Sequence, residues 1–177
     1  MSTFVSIGNA LQPFGRLLDE VARLANAGLL PQPVVVQHGH TPFSSQACSG
    51  VAFLELRRFE AEVERARLCI IHAGAGSVLY ALRAGKVPVI MPRDPAHGEI
   101  IDDHQQELAG MLDKASLAVI AKEPSELESA VRRAEAMQAE RRDGASAAEP
   151  RLVGLVRDTL GAWDRERKQA RVRVSAT

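Results

Sequence analysis

The stretch from Leu68 to Gln105, LCIIHAGAGSVLYALRAGKVPVIMPRDPAHGEIIDDHQ, constrains the fold more than any other part of the chain. Leu68 to Ile71 is a short apolar run bounded by polar sequence, which suits a strand buried on both faces. His72-Ala73-Gly74-Ala75-Gly76-Ser77 follows, and its small residues let backbone approach backbone. Ser77 to Arg83 has helical character, with Gly85 as its stop. Val87 to Met91 is a second apolar run, closed by Pro92. Strand, glycine turn, helix and strand make a βαβ unit. The unpaired N–H groups at such a helix start can hold an anion such as a diphosphate. The glycines alone serve tight helix-on-strand packing equally well. The segment from Pro92 to Gln105 tips the balance: it is long for a connection, and it carries one basic, four acidic and two histidine residues. Loops at strand C-termini are where open α/β sheets place their ligands.

The length of 177 residues accommodates one α/β domain with a proper core and is too short for two. Lys plus Arg equals Asp plus Glu at 22 each, so net charge gives no support for a nucleic-acid partner. Cys48 and Cys69 lie apart, Cys48 in a turn-like segment and Cys69 inside the apolar run. Neither belongs to a metal-binding or disulfide pattern, which fits a reducing cytosol. No basic-then-apolar leader and no membrane-length apolar run are seen, so membrane association is expected to be peripheral or through a partner.

Elsewhere the periodicity predicts strands at Thr3–Ile7, Pro33–Gln37, Val51–Leu56 and Leu117–Ile120. It predicts helices at Phe14–Ala27, Phe59–Arg67 and Asp103–Leu112, with Asp103 as N-cap. A further helix begins at Pro124 and carries its apolar stripe on Leu127, Ala130, Val131 and Ala134. The expected class is therefore α/β, a parallel sheet of about six strands with flanking helices. Residues 1–142 form the domain, 143–164 a linker and a helix over Arg151–Trp163, and 165–177 a basic tail.

Three segments carry a resemblance. HAGAGS, GKVPVIMPR and DDHQ, in that order and spacing and with Gly8–Leu17 upstream, resemble the C-terminal, donor-binding half of family 28 glycosyltransferases. The likeness covers roughly residues 3 to 135. It is nearer still to the small soluble subunits of split two-chain enzymes of N-glycan precursor and bacterial exopolysaccharide or capsule synthesis. The resemblance implies the Rossmann-like C-terminal half of a GT-B enzyme, binding a UDP-sugar and using no other cofactor and no bound metal. It implies a membrane-anchored acceptor-binding partner that supplies the general base and presents a lipid-linked saccharide. The chain would then work at the inner face of the cytoplasmic membrane and transfer a hexosyl or hexuronosyl residue.

Carried onto this sequence, Gly74, Ala75, Gly76 and Ser77 would cradle the diphosphate, with Gly8, Asn9 and Gln12 at the neighbouring turn. His72 would donate to a phosphate or orient a loop carbonyl. Arg93 would neutralise the leaving diphosphate or pair with a sugar carboxylate, and could equally bridge Asp94 or Glu99. His97 and Glu99 would cover the nucleotide. Gln105 and Gln106 would reach the sugar hydroxyls, beside Asp103. Tyr80 departs from the family pattern, standing where relatives often have a ribose-binding glutamate. Two other readings remain: a non-catalytic subunit that stabilises a transferase, which Tyr80 keeps open, and a dinucleotide-binding oxidoreductase. The latter is disfavoured because the first strand lacks GxGxxG and its ribose-binding acid.

Overall fold

The computed structural model describes residues 2–143. A six-stranded sheet in the order β3-β2-β1-β4-β5-β6 forms its centre, and every pairing is parallel. The strands are β1 (Thr3–Ser6), β2 (Val34–Gln37), β3 (Cys48–Val51), β4 (Leu68–Ile71), β5 (Val89–Ile90) and β6 (Val119–Ile120). The helices are α1 (Gly15–Asn26), α2 (Leu56–Arg65), α3 (Ala75–Arg83), α4 (His104–Lys114) and α5 (Leu127–Asp143). The expected α/β class and strand number hold. The linker expected beyond Asp143, the helix over Arg151–Trp163 and the basic tail lie outside the described residues.

Alternation along the strands decides what each face buries. Val5, Ile7, Leu68, Ile70, Val34 and Val36 pack with α1 through Leu17, Leu18, Val21 and Leu24, and with α5 through Leu127, Ala130, Val131 and Ala134. The opposite residues, Phe4 among them, meet α2 and α3. Phe4 and Phe59 contact edge to face with centroids 5.2 Å apart, and Phe59 touches Tyr80 in the same way at 5.8 Å. Burial on both faces explains why LCII is an unbroken apolar run.

One strand prediction is corrected. The third strand is Cys48–Val51, and the more apolar segment that follows it is a connection leading into α2, which starts at Leu56 rather than Phe59. An edge strand needs little apolar character. Ser49 and Gly50 are exposed, whereas Leu54 is half-buried beyond the strand end. Cys48 accordingly opens a strand instead of lying in a turn. Asp103 occupies the N-cap position of α4, but its side chain makes no capping hydrogen bond.

The loops at the C-terminal edge of the sheet are tied together by a buried cation. Arg93 is 0% exposed. Its Nη1 donates to the carbonyls of Gln12 (2.8 Å) and Glu99 (2.9 Å), and its Nη2 donates to that of Ile7 (3.0 Å). Its guanidinium also lies 4.8 Å from the Phe14 ring centroid. Burial lowers its pKa, and the Glu99 carboxylate partly offsets this. Glu99 in turn holds Arg16 in a two-pronged ion pair (2.7 and 3.0 Å) and accepts from the Asp94 amide (2.9 Å). Arg16 also donates to the carbonyls of Pro92 and Lys122. The segment after β1, the segment after β5 and the approach to α5 are thereby joined.

Replacing Arg93 with Met should therefore destabilise the chain by about 3 kcal/mol, since three carbonyls, two of them in buried contacts, each lose a donor worth roughly 1 kcal/mol. Urea unfolding of the two forms measures this. A loss under about 1 kcal/mol would show that the loops hold their places without the guanidinium.

Candidate functional site

Strand order turns outward from β1, which has β2 on one side and β4 on the other. Connections leave in opposite directions at such a point and open a crevice outside the strand C-termini. A cleft of about 420 Å³ lies there. Gly8 and Asn9 after β1, Gln37 at the end of β2, and His72 and Gly74–Ser77 after β4 form its base. Leu54, Leu56, Phe59 and Tyr80 form an apolar wall on one side.

Helix α3 starts inside this cleft. Its first intrahelical bond runs from the Val78 amide to the Gly74 carbonyl (3.0 Å), so the amides of Ala75, Gly76 and Ser77 precede the helical ladder. No side chain caps them. Their dipoles aim a partial positive charge at whatever occupies the cleft. None of the lining side chains is an Asp, Glu, Lys or Arg. The site can therefore neutralise an anion only through backbone and neutral donors.

His72 explains two of the glycines. Its ring is buried, with Nδ1 3.3 Å from the Ser6 carbonyl oxygen. A Cβ on Gly8 would stand 2.5 Å from His72 Nε2, and one on Gly74 only 2.1 Å away. Gly8 also has a φ of 75°, a conformation that favours glycine in its own right. Gly76 differs, since a Cβ there would meet nothing within 4 Å. Burial, reinforced by the nearby Arg93 cation and opposed by the Ser6 carbonyl, lowers the His72 pKa to about 4. The ring is thus neutral at physiological pH. With its Nδ1 proton directed at Ser6, its Nε2 presents a lone pair.

The remaining predicted residues lie elsewhere. Gln12 contributes its carbonyl to Arg93, and Gln105 Oε1 accepts from the Arg93 amide at 3.1 Å. Arg93 and Glu99 are enclosed in the loop bracket and do not line the cleft. His97 is exposed and sits 3.4 Å from Asp94. Asp103 is exposed at the start of α4. Gln106 borders a separate crevice of about 520 Å³ between α4 and the ends of β5 and β6. The structure thus brings together Gly8, Asn9, His72, Gly74, Ala75, Gly76, Ser77 and Tyr80, and leaves the other predicted residues outside that group. Sequence reasoning passed over Gln37, Leu54, Leu56 and Phe59 in the cleft and Arg16 in the bracket. Gln37, a polar residue ending an apolar strand, was the one signal available for the cleft. Among the described residues no cluster of three His, Cys, Asp or Glu side chains could hold a metal ion.

The buried imidazole has a pH signature. Above pH 6.5 the ring is neutral both folded and unfolded. Below that the unfolded ring takes up a proton that the folded one refuses until about pH 4, so stability falls as pH falls through this window. The full effect is about 3 kcal/mol. Melting temperatures from pH 7 to pH 4 should drop more steeply for the natural chain than for His72→Gln. Parallel curves would show that His72 does not carry the effect.

Comparison with known proteins places this geometry. The description "Glycosyltransferase family 28 C-terminal domain" matches residues 12–153. The chain is 50% identical over 48 residues to the UDP-N-acetylglucosamine transferase subunit ALG13 of Yarrowia lipolytica (strain CLIB 122 / E 150), over 27% of this chain and 22% of that protein. The crystal structure of the glycotransferase of kitacinnamycin superposes with a TM-score of 0.63 at 20% identity, over 95% of this chain and 43% of that one. That of the glycosyltransferase SnogD from Streptomyces nogalater gives 0.46 at 17% identity, over 89% and 44%. In each case the matched part is less than half of the relative. The kitacinnamycin likeness agrees with the Rossmann-like C-terminal half of a GT-B fold. The match over most of its length makes this chain a member of the glycosyltransferase family 28 C-terminal domain family.

Proposed function

We propose that the chain binds the UDP-sugar donor of a two-part glycosyltransferase. The observation that carries this is the uncapped start of α3, opening into an uncharged cleft at the switch point of the sheet. A diphosphate fits the amides of Ala75, Gly76 and Ser77, with the Ser77 hydroxyl as a further donor. Leu54, Leu56 and Phe59 offer an apolar surface for a nucleobase. As the glycosidic bond to the departing UDP breaks, negative charge grows on the diphosphate. Fixed amide dipoles stabilise it without reorganising. His72 is assigned to setting the loop after β1 through Ser6, and Arg93 to positioning the same loops from beneath.

The acceptor side belongs, in this proposal, to a membrane-anchored partner that supplies the general base and holds a lipid-linked saccharide. The product is a hexosyl or hexuronosyl unit of an exopolysaccharide or capsule. Support comes from the family description, which is that of a C-terminal domain, and from the name of the yeast relative, which is that of a subunit. Among the described residues no helix is long and apolar enough to cross a membrane. Attachment at the inner membrane face through the partner is accordingly part of the proposal.

Two experiments test it. Gly76→Val should keep the melting temperature of the natural chain, because a side chain there meets open space. It should weaken UDP binding at least tenfold, a loss of about 1.4 kcal/mol, by standing where the diphosphate approaches. Calorimetry decides, and a variant that binds UDP normally, or a natural chain that prefers NAD to UDP, sinks the cradle. Sugar transfer to a lipid-linked acceptor should require co-expression with the partner. Robust transfer by the purified chain alone would refute the two-part arrangement.

A further inference from the structure

Gln37 ends β2 in the floor of the cleft and is 5% exposed. Its Nε2 donates to Asn9 Oδ1 at 3.3 Å. Its Oε1 is buried and has no hydrogen-bond partner. Buried side-chain polar atoms are rarely left so, and each exception calls for an explanation. A carbonyl oxygen is only an acceptor, so it repels a phosphate and requires an O–H or N–H from its partner.

Sheet order says which part of a nucleotide that is. Across the strand ends, the apolar Leu54 and Leu56 follow β3, Gln37 ends β2, Gly8 follows β1, and the α3 cradle follows β4. A nucleoside diphosphate laid along this row puts its base at the apolar end and its diphosphate at the cradle. Its ribose falls between them, over Gln37. The lining has no carboxylate to receive the ribose hydroxyls.

Building on the donor-site reading above, we propose that Gln37 Oε1 accepts a hydrogen bond from a ribose hydroxyl of the bound nucleotide. The amide would supply the acceptor that no carboxylate of the lining provides, and Asn9 would hold it in register.

Calorimetry with UDP, 2′-deoxy-UDP and 3′-deoxy-UDP tests this. The natural chain should bind one of the deoxy forms about three- to tenfold more weakly than UDP, the range one neutral hydrogen bond gives. Gln37→Met should weaken UDP by a similar factor and bind that deoxy form as it binds UDP. Gln37→Glu keeps an acceptor oxygen in place. It should preserve the ratio between UDP and the deoxy form even though its charge weakens both. Equal binding of all three ligands by the natural chain overturns the assignment, whatever the variants do. So does an unchanged ratio in folded Gln37→Met, or a lost ratio in Gln37→Glu. Failure of UDP itself to bind the natural chain would overturn the donor-site reading and this assignment together. UDP binding without discrimination would overturn only the second.

Discussion

The geometry of the cleft rests on a guanidinium that never reaches it. Arg93 is enclosed beneath the C-terminal edge of the sheet, with its donors on the carbonyls of Ile7, Gln12 and Glu99. Loops rarely have an apolar core of their own to fix them, and their backbone polar groups must find partners. A planar fork of donors satisfies several at once. The Arg16–Glu99 pair extends the same bracket to the Pro92 and Lys122 carbonyls. Gly8 and Asn9 therefore stand at a fixed height above β1, next to the start of α3.

Within that frame the site is built from neutral groups. His72 is uncharged because it is buried beside a cation, and the cleft has no charged side chain in its lining. An anion held by amides alone depends on the placement of the backbone more than on any one residue. Even a small shift in the turn after β4 would misdirect several donors together. The tight packing around His72 opposes such a shift. Its ring fills the space between two turns, and both turns accommodate it by lacking side chains.

How much of this could be read from the chain follows from what each signal measures. Leu68–Ile71 and the glycine turn were legible because burial on two faces and close backbone approach leave compositional marks. The start of α3 was legible for the same reason. β3 was misplaced because an edge strand of Cys, Ser, Gly and Val is held by ladder hydrogen bonds, which sequence pattern does not show. Arg93 and Glu99 attracted attention as charged residues in a loop. Their charges are turned inward, and nothing local in PRDPAHGE separates a ligand-binding arginine from one that binds carbonyls. The partners of Arg93 at Ile7 and Gln12 lie more than 80 residues away. Gln37 went unnoticed because one amide at the end of VVVQ gains meaning only beside Asn9 and the cleft.

The wedge formed by His72 also restricts the order in which the chain can change over evolution. Gly74 has an ordinary backbone conformation, with φ of −76°, and the nearest obstacle to a side chain there is the neighbouring ring. Gly8 is fixed twice, by the ring and by its positive φ. A lineage that exchanged His72 for a smaller residue would free position 74 to vary while position 8 stayed closed. A lineage that altered position 74 first would meet the clash at once. The path is one-way, and drift at position 74 can begin only after the imidazole has been lost.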